Sequence, residues 1–415
     1  MIGTRALLFF TLLTAACQSQ SSGPVDADSP DVSAADAQLA DAGARDADAA
    51  SSDGMPADAA DIDAGVAPDA GPEDAGAGPR LSIAYVGSGD GNIYRAILAR
   101  DGTMTLVGRL GAGQNPSFLA FDAHDHLYAV DESGPMGGVQ AFAIDPTTGA
   151  LRFLNRQSSA GAGPAHLSVD PSGAFVLVAN YGDGNIASLP ILADGSLGPA
   201  VDSRQAGSHA HLIRTDPAGR FVFVPCLGAN NVAQYVFDVA QGTLSPNAIA
   251  TVDSPPGAGP RHLVFHPSAR WAYVINETNS SVTRYDYDAA SGQLNSRDTL
   301  STLPAGFGGS NTCAEVEVHP NGRVLYGSNR GHDSIARFSI DPASGALTAI
   351  DHTPTGGRTP RNFGLSPGAA WMLVANQESD EVRSFAVDPV SGALTPTGAV
   401  INVPRPAFVG VRDFD

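Results

Sequence analysis

A pattern of short strands recurring seven times, about every 48 residues, predicts an all-β fold: a seven-bladed β-propeller with one repeat per blade. The first observation is the repeat start. Each copy opens with a short apolar strand behind a Pro/Gly/His cluster whose last residue is Phe118, His166, His211, His262, Glu315, Asn362 or Phe408. Those residues are separated by 48, 45, 51, 53, 47 and 46 positions. The second is composition within the copies, where β-branched and aromatic runs are punctuated by Gly, Asp and Asn. That chemistry favours antiparallel strands joined by tight turns over helix. The third is the pair of incomplete copies at the two ends, which complement one another.

One copy shows every element. Ala165–Asp170 reads as a first strand, Pro-Ser-Gly173 as a turn and Ala174–Ala179 as a strongly apolar second strand. Asn180–Asn185 is a second turn, Ile186–Ile191 a third strand, and a weaker fourth strand follows Asp-Gly-Ser196. Other copies repeat the scheme, with Trp-Ala-Tyr-Val-Ile275 and Trp-Met-Leu-Val374 as second strands. The last copy, Pro406–Val411, supplies only a first strand. The opening stretches Ile83–Val86, Asn92–Leu98 and Met104–Val107 read as second, third and fourth strands with no first. Three N-terminal strands and one C-terminal strand thus complete a seventh blade and close the ring, which removes exposed sheet edges.

The chain divides into residues 1–16, 17–79 and 80–415. Met1–Ala16 carries one charge, Arg5, and an apolar run from Ala6 to Leu13, too short to span a bilayer but suited to a signal-peptide core. It ends in Leu-Thr-Ala-Ala-Cys17, which resembles a bacterial lipobox and makes Cys17 the expected lipidation site. Residues 18–79 are low-complexity Ala, Asp, Gly, Ser and Pro with fourteen acidic residues and one Arg, a net charge of −13. Such a segment has no apolar face and repels itself, so a disordered linker is expected. The resulting expectation is an exported bacterial lipoprotein, membrane-anchored through lipid alone. Gln18 after the cysteine points to the outer membrane.

Removing the linker's −13 and the +1 of Arg5 from the whole chain's −20 leaves −8 for residues 80–415. That balance speaks against a nucleic-acid partner. The chain has no lysine, which excludes Schiff-base catalysis and a P-loop lysine. Cys226 and Cys313 fall in non-adjacent repeats, so no disulfide between them is expected, and no zinc-ligand spacing occurs. Neither a metal nor a cofactor is implied.

In an antiparallel blade the start of the first strand and the end of the second share one face. The second strands end in Asp131-Glu132, Asn180-Tyr181, Cys226-Leu227, Asn276-Glu277, Asn329-Arg330 and Asn376-Gln377. The recurring Asn reads as turn chemistry. The residue after it varies and is often ionisable, as expected of a functional mouth. Phe118 and Phe408 read as packing, and His209 as a structural residue.

Six motifs then carry a resemblance: Gly-Ala-Gly-Pro-Arg-His262, Tyr-Val-Ile-Asn-Glu277, Ala-Glu-Val-Glu-Val-His-Pro320, Leu-Tyr-Gly-Ser-Asn-Arg330, Thr-Pro-Arg-Asn-Phe363 and Val-Ala-Asn-Gln377. In order and in blade position they resemble the seven-bladed lactonase family, which includes propeller-type 6-phosphogluconolactonases and carboxy-muconate lactonising enzymes. The resemblance runs from Leu81 to the C-terminus and implies hydrolysis of a lactone, a sugar lactone or another anionic one. It implies His211, Arg261, Glu277 and Arg330 as catalytic positions. His166, His262, Glu315, Arg361, Asn362 and Gln377 are the expected substrate-binding set. Pro225-Cys226-Leu-Gly228 stands where that family commonly has Asp-Leu-Gly. His211 or Glu277 could take a proton from water, while Arg261 and Arg330 could clamp an oxyanion or anion. The other reading is a tethered propeller that binds a ligand or protein at the same mouth without catalysis.

Overall fold

The computed structural model describes residues 81–414. The signal-like segment, Cys17 and the acidic linker lie outside the described residues. Seven four-stranded antiparallel sheets make the blades. Their first strands are Leu119–Phe121, Pro164–Val169, Arg214–Thr215, Pro260–Phe265, Thr312–Val318, Pro360–Leu365 and Pro406–Phe414, here blades 1 to 7. Closure follows the expected strand count. In blade 7, Pro406–Phe414 pairs along Leu81–Ser88, followed by Asn92–Leu98 and Met104–Gly111. In blade 2 the fourth strand is late and short, Asp202–Gln205, after an isolated bridge between Ile191 and Leu197.

Second strands are buried on both faces. Val176–Asn180, Val222–Val224 and Met372–Asn376 are inaccessible to solvent, which explains their continuous apolar character. Neighbouring blades pack these strands against one another, and four blades add a polar tie. The hydroxyls of Tyr85, Tyr128, Tyr273 and Tyr326 donate to the carbonyls of Gly149, Gly195, Gly345 and Gly392 in the next blade. A tyrosine here buries its ring and still satisfies its hydroxyl. Each of those glycines has positive φ, so the turn that offers the carbonyl disfavours any other residue.

The recurring Asn corrects the turn reading. Asn180, Asn276, Asn329 and Asn376 are the buried ends of second strands, not turn residues. Asn180 and Asn329 donate to the carbonyls of Ser159 and Thr302, at the end of the preceding blade. Asn276 instead binds Ser281 and Thr283 in its own sheet. At Asn180 and Asn329 this register therefore ties consecutive blades, whereas the buried side-chain amide of Asn376 has no hydrogen-bond partner among the described residues.

Candidate functional site

Two features of the first strand aim side chains at the axis. A β-bulge falls between Pro164 and His166, Pro260 and His262, and Pro360 and Asn362, so Arg261 and Arg361 are extra residues in their ladders. Bulges re-aim side chains at sheet ends. In blade 5 the break spans Cys313 to Val316, around Glu315. Next to these bulges, the backbone amide of Glu277 binds the Gly259 carbonyl and that of Gln377 binds the Thr359 carbonyl. The end of the second strand therefore stands beside the start of the first.

The seven repeat-start residues form a plug across the channel. Phe118 contacts His166 at 4.0 Å and Phe408 at 4.7 Å between ring centroids. His262 lies 5.5 Å from His166 and 5.1 Å from His211. A polar chain completes the circle. His262 Nδ1 and Glu315 Oε1 are 2.9 Å apart, Asn362 Nδ2 donates to Glu315 Oε2, and the Val409 amide donates to Asn362 Oδ1. Arg261 Nη1 stands 3.3 Å from His262 Nε2. An arginine can only donate, so the network assigns His262 as the neutral Nδ1–H tautomer. Burial drives His262 down to about 4, against the pull of Glu315. Glu315 is pushed up by burial, but His262 and Arg261 outweigh that and hold it below the usual carboxylate range.

On the mouth side of the plug, Arg261, Glu277 and Arg330 form one buried cluster. Glu277 Oε2 is 2.9 Å from Arg261 Nε, and Oε1 is 3.0 Å from Arg330 Nη2. Arg261 also donates to the Ala314 carbonyl and Arg330 to the Cys313 carbonyl. The contact at Arg261 Nε is an ion pair without hydrogen-bond alignment, and Nε of both arginines is buried with no hydrogen-bond acceptor. Burial and then Arg330 push Arg261 down to about 9, which still leaves it charged at neutral pH.

His211 joins this cluster. Its ring is 6 % exposed, and its Nδ1 has no hydrogen-bond partner. Burial first, then the positive charge of Arg261, hold its pKa well below the ordinary histidine value. His166 is likewise buried and held well below that value, by burial and then His262. His209 stacks flat on Tyr181 at 4.2 Å, consistent with a structural role. Phe118 and Phe408 pack against each other as expected.

The structure thus brings His211, Arg261, Glu277 and Arg330 together at one end of the channel. His262 touches that group through Arg261, while Glu315 and Asn362 support His262 from behind. Arg361 and Gln377 stand half-buried at the corresponding level of blade 6. Glu132, to which the sequence assigns no role, sits at the blade 1 position matching Glu277. It accepts from Ser117 Oγ at 2.8 Å, and burial raises its pKa despite hydrogen bonds and the charge of Arg361. Its only sequence signal was an acidic residue at the variable register.

Cys226 is fully buried, with its thiol pushed up to about 12 by burial. It cannot act as a nucleophile at neutral pH. Cys226 and Cys313 are free thiols in blades 3 and 5. Among the described residues, no three His, Cys, Asp or Glu side chains converge as metal ligands.

Comparison with known proteins follows the same lines. The family model described as "Lactonase, 7-bladed beta-propeller" matches residues 83–411. The 6-phosphogluconolactonase of Bacillus subtilis strain 168 is 33 % identical over 281 residues, covering 65 % of this chain and 78 % of that protein. That of Pectobacterium carotovorum is 33 % identical over 295 residues, covering 71 % and 87 %. The structure of a periplasmic gluconolactonase from Pseudomonas aeruginosa superposes with a TM-score of 0.76 at 32 % identity, over 81 % of this chain and all of that one.

Proposed function

Because this chain belongs to the seven-bladed β-propeller lactonase family, we propose that its channel mouth hydrolyses a lactone, with water as the nucleophile. The observation that carries the reading is the pair of guanidinium groups, Arg261 and Arg330, fixed by one carboxylate beside a neutral imidazole. Water oxygen attacks the lactone carbonyl carbon, and His211 takes the proton that water loses. The carbonyl oxygen becomes an oxyanion, for which Arg261 and Arg330 supply fixed positive charge. The ring C–O bond then breaks, the proton passes to the leaving alkoxide, and a hydroxy acid results.

His211 suits the base role better than Glu277. Both Glu277 oxygens face arginines, so protonating that carboxylate would dismantle the cluster. A neutral histidine has a lone pair available at physiological pH. On this reading Glu277 orients the two arginines.

The expected lipid anchor at Cys17 and the linker to residue 79 place this activity outside the cytoplasm. Sugar-phosphate lactones are cytoplasmic, so the reading favours a non-phosphorylated sugar lactone or an anionic lactone other than a sugar phosphate. The periplasmic gluconolactonase among the similar structures supports that preference. The test is turnover of γ- and δ-lactones, phosphorylated and not, by the full chain. No hydrolysis of any above the spontaneous rate would leave the non-catalytic binding reading in its place.

A further inference from the structure

Beneath the plug, on the side away from the arginine–glutamate cluster, lies a chamber of about 400 Å³. Phe118, His166, Glu315, Asn362 and Phe408 roof it. The next inward-facing level of the first strands supplies the wall. It is mostly small or apolar, as at Ser168, Val264 and Gly410, but in blade 3 it carries Arg214 and in blade 5 Glu317.

Arg214 is half-buried, and its side chain makes no hydrogen bond or ion pair among the described residues. Burial lowers its pKa, while Glu315 and Glu317 act at longer range in the opposite direction. A guanidinium half-withdrawn from water with no anion in contact favours a bound counter-ion. Glu317 accepts only the Leu365 amide, at 3.3 Å, and burial with the nearby Glu315 raises it to about 8. It is therefore largely protonated at neutral pH and can donate a hydrogen bond. In the roof, His166 is 1 % exposed and its Nε2 has no partner. The chamber thus offers a guanidinium with no contact partner, which Glu315 and Glu317 meet only at longer range, and a carboxyl group.

We propose that this chamber is a second binding site, separate from the mouth, for a small hydroxylated monocarboxylate anchored by Arg214. A carboxylate matches the planar guanidinium fork and neutralises its charge. Hydroxyl groups on the ligand match Glu317. A dianion or a purely apolar ligand would leave one of these groups uncompensated. The site does not depend on turnover at the mouth.

The experiment is isothermal titration of the full chain with sodium gluconate, repeated on Arg214→Met and Arg330→Ala. Methionine keeps much of the arginine stem's bulk and removes the charge. The proposal expects saturable binding that weakens about tenfold or more in Arg214→Met and stays within about twofold in Arg330→Ala. Neutral glucitol should bind far more weakly than gluconate. Should Arg214→Met fail to fold, Val264→Phe, which fills the chamber from blade 4, is expected to abolish the same binding. The proposal is overturned by absence of saturable binding, by binding that survives Arg214→Met or Val264→Phe, by binding lost in Arg330→Ala, or by glucitol binding as well as gluconate.

Discussion

Arg261 and Glu277 meet at 2.9 Å with both side chains buried, and the same carboxylate holds Arg330 from its other oxygen. One anion between two cations is a positioning device, because removing it leaves like charges facing each other out of water. Glu277→Ala is therefore expected to destabilise the domain by about 3–5 kcal/mol, the usual cost of stranding buried charge. Glu277→Gln should keep more of the geometry and recover part of that loss. Urea unfolding of the two variants measures this, and equal stability of parent and Glu277→Ala would show that the cluster is not held as described.

The arginines themselves should matter to rate. Arg261→Ala and Arg330→Ala each remove a fixed charge from the oxyanion position, so each is expected to lower kcat/KM by about 10²–10³-fold on a lactone the parent hydrolyses. His166→Ala is the comparison, since that ring roofs the lower chamber and should cost much less. Equal losses at all three positions would indicate a collapsed plug.

His211 and Glu277 can be separated by pH. If His211 is the base, His211→Ala should lose about 10²–10⁴-fold in rate. Burial and Arg261 hold its pKa well below the ordinary value, so the parent's acidic limb should lie below pH 6.5. Glu277→Gln should slow the reaction and leave that limb in place. Loss of the limb in Glu277→Gln would reverse the assignment.

The fold was legible because propeller blades repeat, and repetition makes weak strand signals additive. The start residues and the surplus C-terminal strand were enough to close the ring. The mouth was legible for a related reason: residues such as Glu277 and Arg330 break a pattern that structure alone would keep uniform. Asn180 and Asn329 were misread because a residue that ties two blades together has the same composition as a turn residue. Arg214 and Glu317 were not legible. Each lies in an otherwise ordinary first strand, and only the ring brings blades 3 and 5 to face one chamber. The tautomer of His262 also needed three dimensions, since it depends on partners in blades 4 and 5.

Stability should depend on the plug histidines in a defined direction. An unfolded histidine protonates near 6.5, but burial keeps His262 neutral in the fold until about 4. Above pH 6.5 neither state carries the proton, so this group adds no pH dependence. Between about 6.5 and 4 the unfolded chain alone binds it, and stability falls as pH drops. His166 and His211 act in the same direction. Urea midpoints at successive pH values should decline across this window, and less steeply in His262→Asn. An identical decline in that variant would assign the effect elsewhere.

Ring closure gives the last test. Pro406–Phe414 is the inner strand of blade 7 and pairs with Leu81–Ser88 from Phe414 to Pro406. It also serves the neighbouring blade, where the Val409 amide binds Asn362 Oδ1 and Val409 packs with Leu373 and Ala375. Deleting residues 404–415 therefore removes a strand, exposes the edge of Leu81–Ser88 and strips part of the plug, including Phe408. An unpaired apolar edge is a template for association with other chains. The truncated protein is expected to be insoluble or to melt far below the parent, well beyond the effect of trimming a frayed terminus. The damage should be cooperative, since the plug chain through Asn362, Glu315 and His262 ends on the deleted strand. Expression with solubility assay and thermal melting measures this. A truncated chain that stays soluble and melts like the parent would mean that six blades stand without the seventh's inner strand, against the closure described here.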